Sequence, residues 1–216
     1  REKITVVSNT PWPDRVPGDD EIAVQTEDAP IRMVYLGLME KPRGIEAVLR
    51  GLAGLLEDGP ALHLDLIGDG MDFEAFQALS NELGLEAAGA VTFHGRLPYD
   101  DALSIIGASH IGLIPHLAVE SWNTTIPNKL FDYMSYGLPV ISSDAKPAAR
   151  VVREIGSGEV FRGGDADDFA AAVRRLSDIA TRLECGRKGR AAVEEKYNWA
   201  VDERALIRSA ETLVAS

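Results

Sequence analysis

Cysteine is almost absent from this sequence of 216 residues. Cys185 is the only one, so no disulfide can form within the chain, and a cysteine-based zinc site has too few ligands. A single thiol fits a reducing compartment. Long hydrophobic runs are missing as well. No stretch of about 18 apolar residues occurs, so nothing reads as a membrane span. Basic residues are in deficit: 22 Lys and Arg stand against 34 Asp and Glu, for a formal net charge of −12 and a pI near 4.8. A general nucleic-acid surface needs a basic stripe, and the balance argues against one. It leaves room for a local basic pocket that takes a phosphorylated ligand. The histidines at 63, 94, 110 and 116 lack metal-type spacing, so each is expected to fill a satisfied structural role. No Gly-x-Ser-x-Gly elbow supports hydrolase chemistry of that type. The chain opens at Arg1 without Met or a signal-peptide pattern and reads as a piece of something longer.

What is present is ordinary for a globular chain. Hydrophobic residues make up 45%, enough to fill a core. Residues 4–8 are strand-like. Residues 9–30 carry prolines at 11, 13, 17 and 30 among many acids and lack helical periodicity, which places a boundary near residue 30. From there strand and helix alternate. Strands are expected at 31–36, 62–67, 91–93, 111–114, 138–142 and 158–161. Helices are expected at 43–56, 73–83, 100–108, 127–136, 148–155, 165–177, 182–196 and 200–214, with Asp165 as an N-cap and Gly84 as a stop. Short apolar strands separated by helices point to an α/β fold, a doubly wound parallel sheet with right-handed crossovers.

The stretch from Glu120 to Asp144 is the most informative. A polar loop is followed by a short helix, opened by Pro127 at its first position and stopped by Gly137, and then by an apolar strand. This order sets a helix N-terminus at the C-terminal edge of a sheet, where α/β folds bind ligands and free N–H groups suit phosphate. Lys129 stands in the first turn, where the macrodipole disfavours a cation. It is either an ordinary surface lysine or the partner of an anion bound in front of it. Asp132 is either helix-surface charge or an acceptor for a diol such as a ribose. Glu120 and Asp144 read as solvated acids. Phe131 and Met134 should face the core, and Trp122, in the loop, is the better candidate for a sugar or base contact.

Two glycine-bounded turns follow earlier strands. Gly37 to Gly44 carries Lys41 and Arg43; it is a plain βα turn or a cationic one, and it matches neither the dinucleotide fingerprint nor the P-loop. Gly68-Asp69-Gly70 is a tight turn, or a place where a ligand approaches the backbone closely.

Taken together, these pieces resemble the C-terminal, donor-binding domain of the family-4 retaining glycosyltransferases of the GT-B fold, the glycosyl transferases group 1. The resemblance runs from about Ile31 to Trp199. Its most specific part is Ile126-Pro-Asn-Lys-Leu-Phe-Asp-Tyr-Met-Ser-Tyr-Gly-Leu-Pro-Val-Ile-Ser-Ser-Asp144, which is similar to the family's Pro-x-Lys-Leu-Phe-Glu-Tyr-Met-x-x-Gly-x-Pro-Val-Ile signature. Tyr35-Leu-Gly37 before Arg43-Gly44, Ile67-Gly-Asp-Gly70, Phe93-His-Gly-Arg-Leu97 and Tyr197-Asn-Trp199 stand in the family's order.

The resemblance implies a Rossmann-like doubly wound sheet with helices on both faces, forming one half of a GT-B fold. It implies transfer of a glycosyl group from a UDP- or GDP-sugar to an acceptor with retained configuration, without a cofactor or a bound metal. Arg43 and Lys129 would stabilise the leaving diphosphate. Gly37, Gly68, Arg96 and Leu97 would line the nucleotide, the segment Thr124, Thr125, Ile126, Pro127 and Asn128 would approach the pyrophosphate with the backbone N–H groups of its non-proline residues, and Asp132 would hold the ribose. Residues 1–30 would be the end of an N-terminal domain and a linker, 31–198 the nucleotide-sugar domain and 199–216 a C-terminal helix. The missing half would bind a glycan or lipid-linked acceptor, in the cytoplasm and at the membrane periphery in the full-length protein; this chain alone would be an inactive fragment. Two features depart from the family: Thr124 stands eight residues before Asp132 where a glutamate is usual, with Glu120 four residues too early, and Leu38 stands after Gly37 in place of an arginine. An epimerase or phosphorylase of the same fold, or a catalytically silent nucleotide-binding module, are the alternatives.

Overall fold

The computed structural model describes residues 7–18, 22, 25 and 30–214. Six parallel strands form one sheet in the order β3-β2-β1-β4-β5-β6. They are β1 (Ile31–Leu36), β2 (Leu62–Ile67), β3 (Val91–Gly95), β4 (Ile111–Ile114), β5 (Val140–Ser143) and β6 (Gly158–Phe161). β4 and β5 are buried along their whole length, as expected of central parallel strands with both faces covered.

The helices are α1 (Ile45–Leu55), α2 (Phe73–Glu82), α3 (Tyr99–Gly107), α4 (Lys129–Ser135), α5 (Lys146–Ile155), α6 (Ala166–Arg175), α7 (Ile179–Glu195) and α8 (Trp199–Val214). On one face, residues of α1, α2 and α6 pack with Met33, Tyr35, Leu64 and Leu113 in one core. On the other, residues of α3, α4, α5 and α7 pack with Val34, Ile67, Ile114 and Val140. Each face is apolar because alternate residues of a strand point to opposite sides. Asp165 caps α6 by accepting from Asp168 N–H at 3.0 Å, as its position predicted.

Local differences from the sequence reading have local causes. The first turn of α4 is tight: Leu130 N–H bonds the Pro127 carbonyl at 3.1 Å, three residues back. Asn128 is therefore the N-cap and Lys129 the first helical residue, and Pro127 precedes the helix rather than opening it. Gly137, at φ 65°, closes α4 while Leu138 N–H bonds the Tyr133 carbonyl. β5 accordingly starts at Val140 rather than Leu138. Residues 41–43 form a separate 3-10 turn before α1, so Arg43 stands on a turn and not in the helix. Leu56 is exposed, although it matches the apolar spacing of α1. Asp144 is not merely solvated: it accepts from Gly163 N–H at 3.0 Å. Of the strand expected at 4–8, residues 4–6 lie outside the described residues, and Val7 and Ser8 are in no strand.

Candidate active site

The strand order reverses between β1 and β4, whose outgoing loops lead to helices on opposite faces of the sheet. This switch point is where α/β sheets open a crevice for ligands. Its two loops are pinned together, since Leu117 N–H donates to the Pro42 carbonyl at 2.9 Å. Gly44 makes the approach possible. It lies at φ 72°, and a Cβ there would collide with the Pro115 carbonyl. The turn that carries Arg43 thus rests directly on the loop that carries His116.

Three nitrogen groups meet here without hydrogen-bond partners. Arg43 Nε, His116 Nε2 and Lys129 Nζ are all buried and unpaired. Glu40 stands 3.9 Å from Arg43 Nε, at the limit of an ion pair. Lys129 as a residue is half-buried, yet its Nζ is out of reach of water. The ammonium lies over the Tyr35 ring at 4.0 Å, and Tyr35 is itself fixed by its hydroxyl donating to the Leu38 carbonyl at 2.8 Å. Gly37 leaves space for the lysine, because a Cβ there would lie 2.8 Å from Nζ. The end of β1 is held from the other side by α4, where the Tyr133 hydroxyl accepts from Leu36 N–H at 2.9 Å.

The electrostatics follow from burial. Desolvation, and then the charge of Arg43, hold the Lys129 ammonium well below the usual lysine range, with Asp132 partly offsetting them. Desolvation first, then Lys129 and Arg43, push His116 down to about 2, so its ring is neutral. Asp132 is pushed up to about 6 by burial, against the pull of Lys129. Two cations and a neutral imidazole therefore share a water-poor site with little opposing charge. Such a site favours an anion with several acceptor oxygens.

The residues proposed from the sequence fall into three groups. Arg43, Lys129, Asp132 and Gly37 surround the crevice. Gly37, Gly68, Arg96 and Leu97 line a cavity of about 510 Å³ at the C-terminal ends of β1, β2 and β3. Thr124, Thr125 and Asn128 are exposed, with Ile126 and Pro127 half-buried, on the segment entering α4. The Thr124 hydroxyl donates to the Ser121 carbonyl at 3.0 Å, which ties it into its own 3-10 turn. Asp132 also faces a second cavity of 410 Å³, lined by Trp12, Arg15 and Tyr99 among others. Asp69 bonds Gly70 N–H and stays within its turn.

Two residues were not singled out from the sequence. His116 carried no spacing signal, and only its position after a strand at the same sheet edge as Gly37 and Gly68 could have marked it. Tyr35 reads as one more strand residue until its ring is seen beneath Lys129. Trp122, considered for a sugar or base contact, packs against the site's own groups: Arg43 Cζ lies 4.3 Å from its ring and the His116 ring centroid 4.2 Å away. The satisfied structural role expected of every histidine does not hold for His116, whose Nε2 has no partner; the other three are structural. His94 bonds Asp65 at 2.7 Å, His63 contacts the Gly89 carbonyl at 2.9 Å, and His110 Nδ1 accepts from Arg32 N–H at 3.0 Å.

Comparison with known proteins agrees with this architecture. Lipopolysaccharide 1,6-galactosyltransferase of Salmonella typhimurium is 33% identical over 150 residues, covering 69% of this chain and 40% of its own length. The sucrose-phosphate synthase of Thermosynechococcus elongatus superposes with a TM-score of 0.73 at 23% identity, over 89% of this chain and 47% of that one. Anabaena HepE, solved in complex with UDP, superposes with a TM-score of 0.71 at 15% identity, over 88% and 50%. The chain spans about half the length of the curated relatives it matches, and its sheet is one half of a GT-B fold. The profile described as Glycosyl transferases group 1 matches residues 30–178, and the chain belongs to that family.

Proposed function

We propose that this chain is the donor-binding half of a retaining glycosyltransferase and that its switch-point crevice holds the diphosphate of a UDP- or GDP-sugar. The observation that carries this reading is the buried, unpaired ammonium of Lys129, set close enough to Arg43 for the guanidinium to disfavour its charge. Two neighbouring cations with only Glu40 at 3.9 Å and the nearby Asp132 to offset them are unfavourable by themselves and favourable beside a diphosphate. Negative charge grows on the leaving diphosphate as the bond to the sugar breaks. Fixed cations aimed at that charge lower the barrier without a protein nucleophile, and they need no rearrangement at the moment of reaction.

The cavity at Gly68, Arg96 and Leu97 suits the base, and the Asp132 carboxylate suits the ribose diol, accepting from both hydroxyls. The approach of Thr124–Asn128 to the diphosphate belongs to the same reading, as does independence from a bound metal. A UDP-bound relative favours a uridine donor. Relatives named for lipopolysaccharide and phosphatidylinositol glycosylation favour a hexosyl group delivered to a lipid-linked acceptor, which a second domain would hold at the cytoplasmic membrane surface.

Calorimetric titration of UDP and GDP into the wild-type chain, Arg43→Ala and Asp132→Ala tests the reading. The wild type should bind one of them, and each variant about 10- to 100-fold more weakly, the weight of a hydrogen bond to a charged group. No binding by the wild type would falsify the donor site. Equal binding by all three would remove these residues from it.

A further inference from the structure

The crevice contains one polar group that the donor reading leaves without a task. His116 is 1% exposed, and its Nε2 is buried without a hydrogen-bond partner. A buried ring nitrogen left unpaired is costly and uncommon. A neutral imidazole bears one proton, on one of its two nitrogens. With the proton on Nε2, the site holds three buried N–H donors that lack hydrogen-bond partners.

The ring is also fixed in place. Its imidazole packs on the Trp122 indole with a centroid separation of 4.2 Å and an interplanar angle of 32°, and the same indole carries the Arg43 guanidinium at 4.3 Å. Behind it, the Ser143 hydroxyl donates to the His116 carbonyl, tying the loop after β4 to the end of β5. Trp122 thus holds two of the three donor groups in register, so they form a preorganised set rather than three mobile side chains.

We propose that His116 is a third diphosphate ligand, donating through Nε2–H to a phosphate oxygen of the nucleotide sugar beside Arg43 and Lys129. The proposal rests on the donor-site reading above. Burial, and then the neighbouring cations, keep the ring neutral, with its pKa held down to about 2, so it supplies a hydrogen bond and adds no third charge. That role distinguishes it from the two cations: it gives the crevice direction, since a ring fixed on Trp122 can donate along one line only.

Imidazole 15N NMR of the wild-type chain, with UDP and then GDP added, reads the group directly. On saturation the His116 Nε2–H should appear as a protected, downfield-shifted proton on a neutral ring. Calorimetry on His116→Phe, which keeps a flat ring against Trp122, should show diphosphate affinity about 10- to 100-fold weaker. His116→Gln restores an N–H near the Nε2 position and should recover most of that loss, which a merely structural role would not allow. If a nucleotide saturates the wild type while the His116 ring signals stay unmoved, this inference fails and the donor site stands. Wild-type affinity in a folded His116→Phe overturns it as well. If neither nucleotide binds the wild type, the donor-site reading fails and takes this inference with it. The NMR result decides the matter should His116→Phe not fold.

Discussion

Lys129→Met separates what the buried lysine costs from what it does. The methionine keeps an unbranched stem for the contact with Tyr35 and removes the charge. In the nucleotide-free protein the ammonium has no hydrogen-bond partner, and its pKa is held well below the lysine range by burial and by Arg43. Replacing buried charge with apolar volume stabilises by about 1–4 kcal/mol. At roughly 2–4 °C per kcal/mol for a chain of this size, the melting temperature should rise by about 2–16 °C. Nucleotide affinity should fall by about 10- to 100-fold, the weight of a charge-assisted hydrogen bond. With UDP at a hundred times the wild-type Kd, the wild type gains about 2.7 kcal/mol and the variant about 0.4–1.4 kcal/mol. Thermal unfolding with and without UDP therefore gives a sign reversal in the first comparison and a smaller ligand shift in the second. The pH dependence gives an internal check. With a folded pKa below the unfolded value of about 10.4, the native state gives up its proton first, so the penalty is full at low pH and is relieved as pH rises through that window. Lys129→Met should lack this alkaline gain. A variant less stable than the wild type in the absence of nucleotide, with an equal UDP shift, would refute the reasoning.

Asp132 and His116 should oppose each other in acid. Asp132 is raised from 3.8 to about 6 in the fold, so the native state keeps its proton longer and this group lowers stability as pH rises across that range. His116 is lowered from 6.5 to about 2, so its contribution is full above 6.5 and is lost as pH falls. Each slope reaches up to about 1.4 kcal/mol per pH unit. Asp132→Asn removes the first, so its stability relative to wild type should climb between pH 4 and about 6 and level off above; urea unfolding at spaced pH values checks this, and parallel curves would contradict it. Gly37→Ala should cost about 1–3 kcal/mol for a Cβ at φ 151° and should also displace Lys129 Nζ, 2.8 Å from that Cβ. Unfolding and UDP titration together read both effects, and unchanged UDP affinity would mean that Nζ has no part in binding.

The sheet was legible because its signals are local. Apolar runs of four to six residues, each followed by a glycine or proline and an amphipathic helix, are enough to predict parallel strands and alternate helices, and β1, β2, β4 and β6 stand at the expected residues. The edges of β5 and α4 were less legible because a hydrogen-bond choice moved them. Leu138 closes α4 through its N–H before the chain can enter β5. The site divides in the same way. Lys129 was visible as a cation in the wrong place on a helix, and Arg43 as a charge on a glycine-bounded turn. His116, Tyr35 and the true partners of Trp122 were not, because contacts between residues 43, 116 and 122 depend on Gly44 seating one loop on another. No spacing in the sequence encodes that contact.

On the proposed reading an acidic chain would bind an acidic ligand, which requires its few cations to be used in a particular way. With a net charge of −12, the distant field opposes a diphosphate. Charges separated by more than about 8 Å through solvent are largely screened at physiological salt, so most of those carboxylates count for little at the crevice. Buried charges are screened much less, because the effective dielectric falls where water is excluded. Arg43 and Lys129 are placed in that regime, and Glu40, the nearest partner acid, is held at 3.9 Å. The same burial that depresses Lys129 in the empty site strengthens its pull on a phosphate once one is present, since the ligand restores the charge that desolvation disfavours. On the proposed reading, affinity would reside in where two cations are buried and not in how many the chain carries, which is why a net acidic composition is compatible with a local site for a diphosphate.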